Sequence, residues 1–167
     1  IGIGTLHFAR ISGAKTIAID INEERLMHCK EVLGVDHCIN ALDNPIDALK
    51  DLTNGNLPDV VFEASGAPVV MENSFNYVGH GGKLVLVSIV KGRISFEDPL
   101  FHSREMTVMS SRNATRDDFN NVMNALRERK IDIEHFVTHR CQFDELTSTF
   151  EKWSKTDSKV IKGIVSF

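Results

Sequence analysis

Two spacings of apolar residues alternate along the chain as far as about Arg112. Ile3, Leu6 and Ala9 recur at roughly helical intervals and stop at Ser12-Gly13, a glycine end signal. Lys15-Thr16-Ile17-Ala18-Ile19-Asp20 is short, mostly apolar and β-branched, and predicts a buried strand ending in an acid. Asn22 caps the next helix, with Glu23 and Glu24 at its positive end and Leu26, Cys29 and Leu33 on one face, until Gly34. A short strand over His37–Asn40 should follow.

The alternation continues. Asn44-Pro45 reads as an N-cap with proline at the first helical position, ahead of Ile46, Leu49 and Leu52. After the Asn54-Gly55-Asn56 turn, Asp59–Ala64 predicts a second buried strand, then Ser65-Gly66 and a helix over Val69–Tyr77. Gly79-His80-Gly81-Gly82 breaks the chain before the longest expected strand, Lys83–Val90. Gly92–Phe96 reads as an irregular or edge segment, and Met106–Ser110 as another strand. Thr115 and Asp118 form an acid version of the capping box before Phe119, Val122, Met123 and Leu126. A helix around Leu146, Phe150 and Trp153 and a strand over Val160–Phe167 complete the chain. Apolar strands alternating with helices imply an α/β fold, a doubly wound parallel sheet covered on both faces.

Composition narrows the classes without choosing among them. At 167 residues, 42% hydrophobic and 25% charged, the chain is long enough for a real core, and its make-up is neither disordered nor collagen-like. A formal charge of −4 gives no electrostatic reason to expect nucleic acid, and no apolar run approaches the ~20 residues of a membrane span. Cys29, Cys38 and Cys141 are isolated, without metal-ligand spacing, and suit free thiols in a reducing cytoplasm.

The opening Ile1-Gly2-Ile3-Gly4 has neither an initiator Met nor a leader, and reads as a cut within a phosphate-binding turn. With Gly2 as the last glycine of such a turn, an acid holding the adenosine ribose should end the second strand, roughly 20 residues on. Asp20 stands there. A carboxylate in that place accepts both ribose hydroxyls and repels a 2′-phosphate, which favours NAD over NADP. Asp20 also suits a helix N-terminal acid, or the ribose acid of a domain binding S-adenosylmethionine.

Taken together, Ile1-Gly2, Gly13-Ala14-Lys15, Ile19–Leu26, Leu33-Gly34-Val35-Asp36, Asp59–Gly66, Gly81–Val87 and Val160–Phe167 resemble the coenzyme domain of the medium-chain, zinc-type alcohol dehydrogenases. Phe96-x-Asp98-Pro99-x-Phe101-His102 and Ser111–Thr115 resemble its polyol and sugar-acid branch, the L-galactonate 5-dehydrogenase group. The resemblance implies a role for each matching position. Ile1 would back the nicotinamide ring, Gly2 close the phosphate turn, Asp20 hold the ribose and Arg25 lie beside it. The main chain near Val87 and near Thr107–Met109 would bond the carboxamide and orient the ring. Lys162 falls where the family often has an arginine over the pyrophosphate, keeping the charge without the bidentate fork. Plainer roles compete: core for Ile1 and Val87, solvated charges for Arg25 and Lys162, and structural histidines for His80 and His102.

The same resemblance implies hydride transfer between NAD and a carbinol held on a catalytic zinc, which polarises the oxygen and lowers its pKa. The family's zinc ligands, proton relay and most of its substrate pocket belong to an N-terminal lobe that these residues do not match. Residues 1–130 are therefore expected to be an NAD-binding Rossmann-type domain without its first strand, and 131–167 a segment packing toward the catalytic domain of a longer parent chain. The expected partners are a small polyol or sugar-acid substrate and further copies of the chain, as a homodimer or tetramer through the Gly92–Phe96 edge. A non-catalytic nucleotide-binding module, or a zinc-free quinone oxidoreductase using NADPH, would fit the alternation as well; Asp20 argues against the latter.

Overall fold

In the computed structural model, which describes residues 1–155 and 158–167, strands and helices alternate from the first residue. The chain divides into two compact units, Ile1–Ala114 and Thr115–Phe167. The first contains α1 (Gly2–Ile11), β1 (Ile17–Asp20), α2 (Glu23–Glu31), β2 (His37–Asn40) and α3 (Pro45–Leu52). It continues through β3 (Val60–Glu63), α4 (Pro68–Ser74), β4 (Lys83–Leu86), α5 (Asp98–Ser103) and β5 (Thr107–Ser110).

All strand pairings in this unit are parallel. Strand β1 pairs with β2 from Ile17↔His37 to Asp20↔Asn40. Strand β4 lies between β3 and β5, matching Val60↔Lys83↔Thr107 through Glu63↔Leu86↔Ser110. Among the described residues no strand joins β1 to β3, so the two groups form separate sheets. Helix α1 runs into β1 through Gly13, while its first residue faces the end of β3: a Cβ on Gly2 would lie 3.9 Å from that of Ala64. The layout is a partial doubly wound sheet that lacks its first strand, with the open place between β1 and β3.

Alternation along β1 explains why both of its faces are covered, whereas β3, expected to be buried, leaves Val60 and Phe62 exposed, and β5 is exposed throughout. Ala18 packs into a core with Leu26, Cys29, Leu33 and Val35, against Ile3 and Leu6 of α1. Ile17 and Ile19 point the other way, onto Ile39, Leu49 and Leu57. A third core gathers Phe75, Val78, Leu84 and Met106, with Ile94 and Phe101 against it. Full burial of side chains such as Leu33, Leu49 and Leu84 contributes about 1.5–3 kcal/mol each.

Most local signals act where the sequence predicts them. The Asn22 side chain accepts from the Arg25 N–H at 3.1 Å. Asn44 occupies the N-cap position before Pro45, but with φ 51 its side chain bonds no helix N–H and donates to Asp47 instead, at 2.6 Å. Strand β4 stops at Leu86 rather than Val90: the Val87 N–H makes the last ladder bond to the Glu63 carbonyl, and the Ser88 N–H turns to the same oxygen instead of continuing along β3. Gly92–Phe96 forms no strand.

The second unit comprises α6 (Arg116–Arg127), β6 (Val137–Gln142), α7 (Leu146–Trp153) and β7 (Lys162–Ser166). Thr115 and Asp118 cap α6 reciprocally, as the capping-box spacing predicts. Strand β6 pairs in parallel with β7 and has no counterpart in the sequence expectations. Its inward residues are only Val137 and Cys141, separated by Thr138-His139-Arg140, so the apolar signal is thin.

Candidate cofactor-binding site

In open parallel sheets, ligands bind outside the carboxyl ends of the strands, where the winding direction changes. Here that place is between the ends of β1 and β3. Two carboxylates stand at it: Asp20 ends β1 and Glu63 ends β3.

Asp20 is partly open to solvent, its side chain 32% exposed. Its Oδ1 accepts the Asn22 N–H at 3.0 Å, and its Oδ2 lies 3.6 Å from Arg25 Nη1. The turn into α2 thus places both groups, since Asn22 both caps the helix and bonds Asp20. Arg25 is 71% exposed and remains available to a ligand.

Glu63, by contrast, is buried, only 3% exposed. Its Oε1 accepts the Ser65 N–H at 2.7 Å, the Ser65 hydroxyl at 2.5 Å and the Gly66 N–H at 3.3 Å. Its Oε2 accepts the Ser88 hydroxyl. Burial pushes its pKa upward, but these hydrogen bonds together outweigh burial and hold the carboxyl below its usual range.

The other expected site residues are spread more widely. Ile1 is 84% exposed and its carbonyl accepts the Thr5 N–H in the first turn of α1. Val87, half-buried, directs its N–H to the Glu63 carbonyl at 2.9 Å. Thr107 and Met109 lie on β5, whose side chains are all exposed. Lys162 is exposed at the start of β7, in the second unit. Glu63 was not singled out from the sequence as a site residue. Its signal was an acid closing an apolar strand before Ser-Gly, parallel to Asp20 closing β1.

Among the described residues, no group of three or more His, Cys, Asp or Glu side chains is arranged to hold a metal ion. A zinc centre therefore finds no ligand set in these residues. NAD does fit: a partly exposed acid at the end of β1, an adjacent cation and a helix start close to β3 meet a nucleotide's chemistry.

Parallel strands, flanking helices and an acid at the end of β1 define a partial Rossmann-type coenzyme domain. The chain belongs to the zinc-binding dehydrogenase family, whose model matches residues 1–128. It is 34% identical over 167 residues to L-galactonate-5-dehydrogenase of Escherichia coli (strain K12), covering 100% of this chain and 49% of that protein. It is 25% identical over 173 residues to sorbitol dehydrogenase 1 of Saccharomyces cerevisiae, covering 99% and 48%. The solved structure of an Escherichia coli oxidoreductase/dehydrogenase of unknown specificity superposes with a TM-score of 0.90 at 26% identity, over 99% of this chain and 48% of that one. The chain spans about half the length of the curated relatives it matches. It is an NAD-binding domain of the zinc-type alcohol and polyol dehydrogenase kind, as its motifs imply.

Proposed function

We propose that this chain is the cofactor-binding portion of an NAD-dependent, zinc-dependent dehydrogenase that moves hydride between NAD and a secondary alcohol, a polyol or sugar acid. The observation that carries this reading is Asp20, a partly exposed carboxylate at the carboxyl end of β1, with Arg25 at 3.6 Å. Its remaining lone pairs accept the two adenosine ribose hydroxyls, and its charge repels a 2′-phosphate. Arg25 lies beside the same ribose. Gly2 lets the pyrophosphate approach the first turn of α1, where helix N–H groups point outward. Ile1 backs the nicotinamide ring. The main chain at Val87 and at Thr107–Met109 bonds the carboxamide and fixes the ring face. Lys162 contributes a charge toward the pyrophosphate, an assignment supported by family resemblance alone.

When bound, NAD supplies the hydride acceptor; the chain's own work is to hold and orient it. Metal ligands and the alcohol pocket belong to a parent protein, so the chain alone binds cofactor without turnover. Residues 131–167 pack toward that protein's catalytic domain. The protein works in the cytoplasm as a dimer or tetramer, joined through the irregular Gly92–Phe96 segment, where Phe96 is 46% exposed. No helix among the described residues is long and apolar enough to cross a membrane.

Calorimetric titration of the chain with NADH and NADPH tests the reading. Tighter binding of NADH is expected. Absence of NADH binding, or a preference for NADPH, overturns it.

A further inference from the structure

Among the described buried polar residues, Glu63 is the one carboxylate, and it stands at the switch point between the two sheets. It ties two loops together twice over. Through its side chain, Oε1 takes three hydrogen bonds from the Ser65–Gly66 turn after β3, and Oε2 takes the Ser88 hydroxyl after β4. Through its main chain, its carbonyl accepts the Val87 N–H at 2.9 Å and the Ser88 N–H at 3.2 Å. Gly66 meets the same segment directly, since a Cβ there would lie 3.8 Å from Ser88 Cβ and 3.9 Å from the Ile89 carbonyl oxygen.

An ionised group removed from water survives only when its lone pairs are satisfied by charge-assisted hydrogen bonds. The geometry in turn makes the carboxylate a demanding clamp. If either loop moves, a buried oxygen loses its donors. Strand β4 ends where this clamp begins, at Leu86: the Val87 N–H makes the last bond of the β3–β4 ladder, to the Glu63 carbonyl, and the Ser88 N–H and hydroxyl beyond it both go to Glu63.

We propose that Glu63 is a positioning residue, whose carboxylate fixes the Val87–Ser88 main chain against the Ser65–Gly66 turn and so sets the surface that receives the nicotinamide end of NAD. This rests on the NAD reading above. Glu63 touches no cofactor itself; it acts through Ser88 and the Val87 main chain. The adenosine end is served by Asp20, which ends a different strand, β1.

The test compares NADH with ADP-ribose, which lacks the nicotinamide, on the full 167-residue chain and on S88A, E63A and E63Q variants. Ser88→Ala removes one tie without touching the backbone and guards against a Glu63→Ala chain that fails to fold. Expected in S88A and E63A is a loss of NADH affinity of about tenfold, with ADP-ribose changed less than about twofold, and recovery of most of the NADH affinity in E63Q, whose Oε1 still accepts from the Ser65–Gly66 turn while its amide N–H2 donates to the Ser88 oxygen in place of accepting from it. Amide exchange at Val87 and Ser88 should quicken in S88A. Unchanged NADH binding in S88A, or equal losses for both ligands, overturns the proposal. A wild-type chain that binds neither ligand overturns the NAD reading instead; the exchange rates then decide the clamp, faster exchange in S88A upholding it and unchanged rates overturning it.

Discussion

Arg25 faces Asp20 across the first turn of α2, Nη1 to Oδ2 at 3.6 Å, while the Asn22 N–H holds the other carboxylate oxygen at 3.0 Å. The acid is therefore oriented before any ligand arrives. The pair itself adds little to folding, because both side chains reach solvent and exposed ion pairs contribute about 0–1 kcal/mol. In the proposed NAD site its value lies in recognition.

Asp20→Ala should accordingly separate binding from stability. Losing charge-assisted hydrogen bonds to ribose hydroxyls should raise the NADH Kd by about ten- to a hundredfold. The preference for NADH over NADPH should narrow in the same titrations, while the urea midpoint moves little. An unchanged NADH affinity would refute the ribose assignment.

The Gly79–Gly82 break separates steric from conformational demand. A Cβ on Gly79 would lie 2.5 Å from the Asn56 carbonyl oxygen and 3.0 Å from that of Leu57, both backbone atoms with little room to give. Gly81, with φ +67, has nothing within 4 Å and meets only the left-handed backbone penalty. Gly79→Ala should therefore cost more than Gly81→Ala, about 1–3 kcal/mol or above against about 1 kcal/mol. Urea unfolding of both variants checks the order; equal midpoints would contradict the close approach.

Thiol reactivity reports on the core beneath β1. Burial, helped by nearby Cys38 and Asp20, pushes the Cys29 thiol up to about 11. Burial also raises Cys38, which is half-buried and donates to the Leu26 carbonyl. At about pH 8 only about a thousandth of Cys29 would be thiolate, the reactive form. A thiol-reactive chromophore should label Cys38 slowly, and Cys29 and the buried Cys141 only after unfolding in guanidinium. Rapid native labelling of Cys29 would show the α2–β1 core to be open.

Most of the parallel fold was legible because its strands are short, apolar and bounded by clear punctuation. Ile17–Asp20 ends at an acid before a capping asparagine, and His37–Asn40 was placed to the residue. Helix α5 was not expected, since six residues opening on Asp98-Pro99 are too few to display a period. The stripe of Phe119, Val122 and Met123 was legible as one helix face, yet all three remain exposed, so periodicity located the face without locating a cover. In the site, Asp20 was legible because it stands at the end of a recognisable strand. Glu63 ends its strand in the same way, but its importance rests on Ser88, a contact 25 residues away that no local pattern announces.

The acid limb of stability follows from three carboxylates with lowered pKa values. Asp36 is held low chiefly by the Thr16 N–H at 2.7 Å, then by the Thr16 hydroxyl at 2.9 Å. Asp118 is held low by the Thr115 N–H and hydroxyl in the α6 capping box. In Glu63, hydrogen bonds from both serines and the Gly66 amide overcome the upward push of burial. For each group the unfolded chain takes up its proton at a higher pH than the folded one. The stability they supply is complete above the ordinary carboxylate range near about 4 and is lost as pH falls through the lowered folded values. Each group gives the fall in stability with pH a slope of at most one proton. Asp36→Asn should flatten the limb for the first unit and Asp118→Asn for the second, each by less than that amount. Urea midpoints between about pH 3 and 6, followed with probes in each unit, measure the slopes. A limb equally steep in wild type and both variants would show that these carboxylates are bonded alike in the folded and unfolded chain.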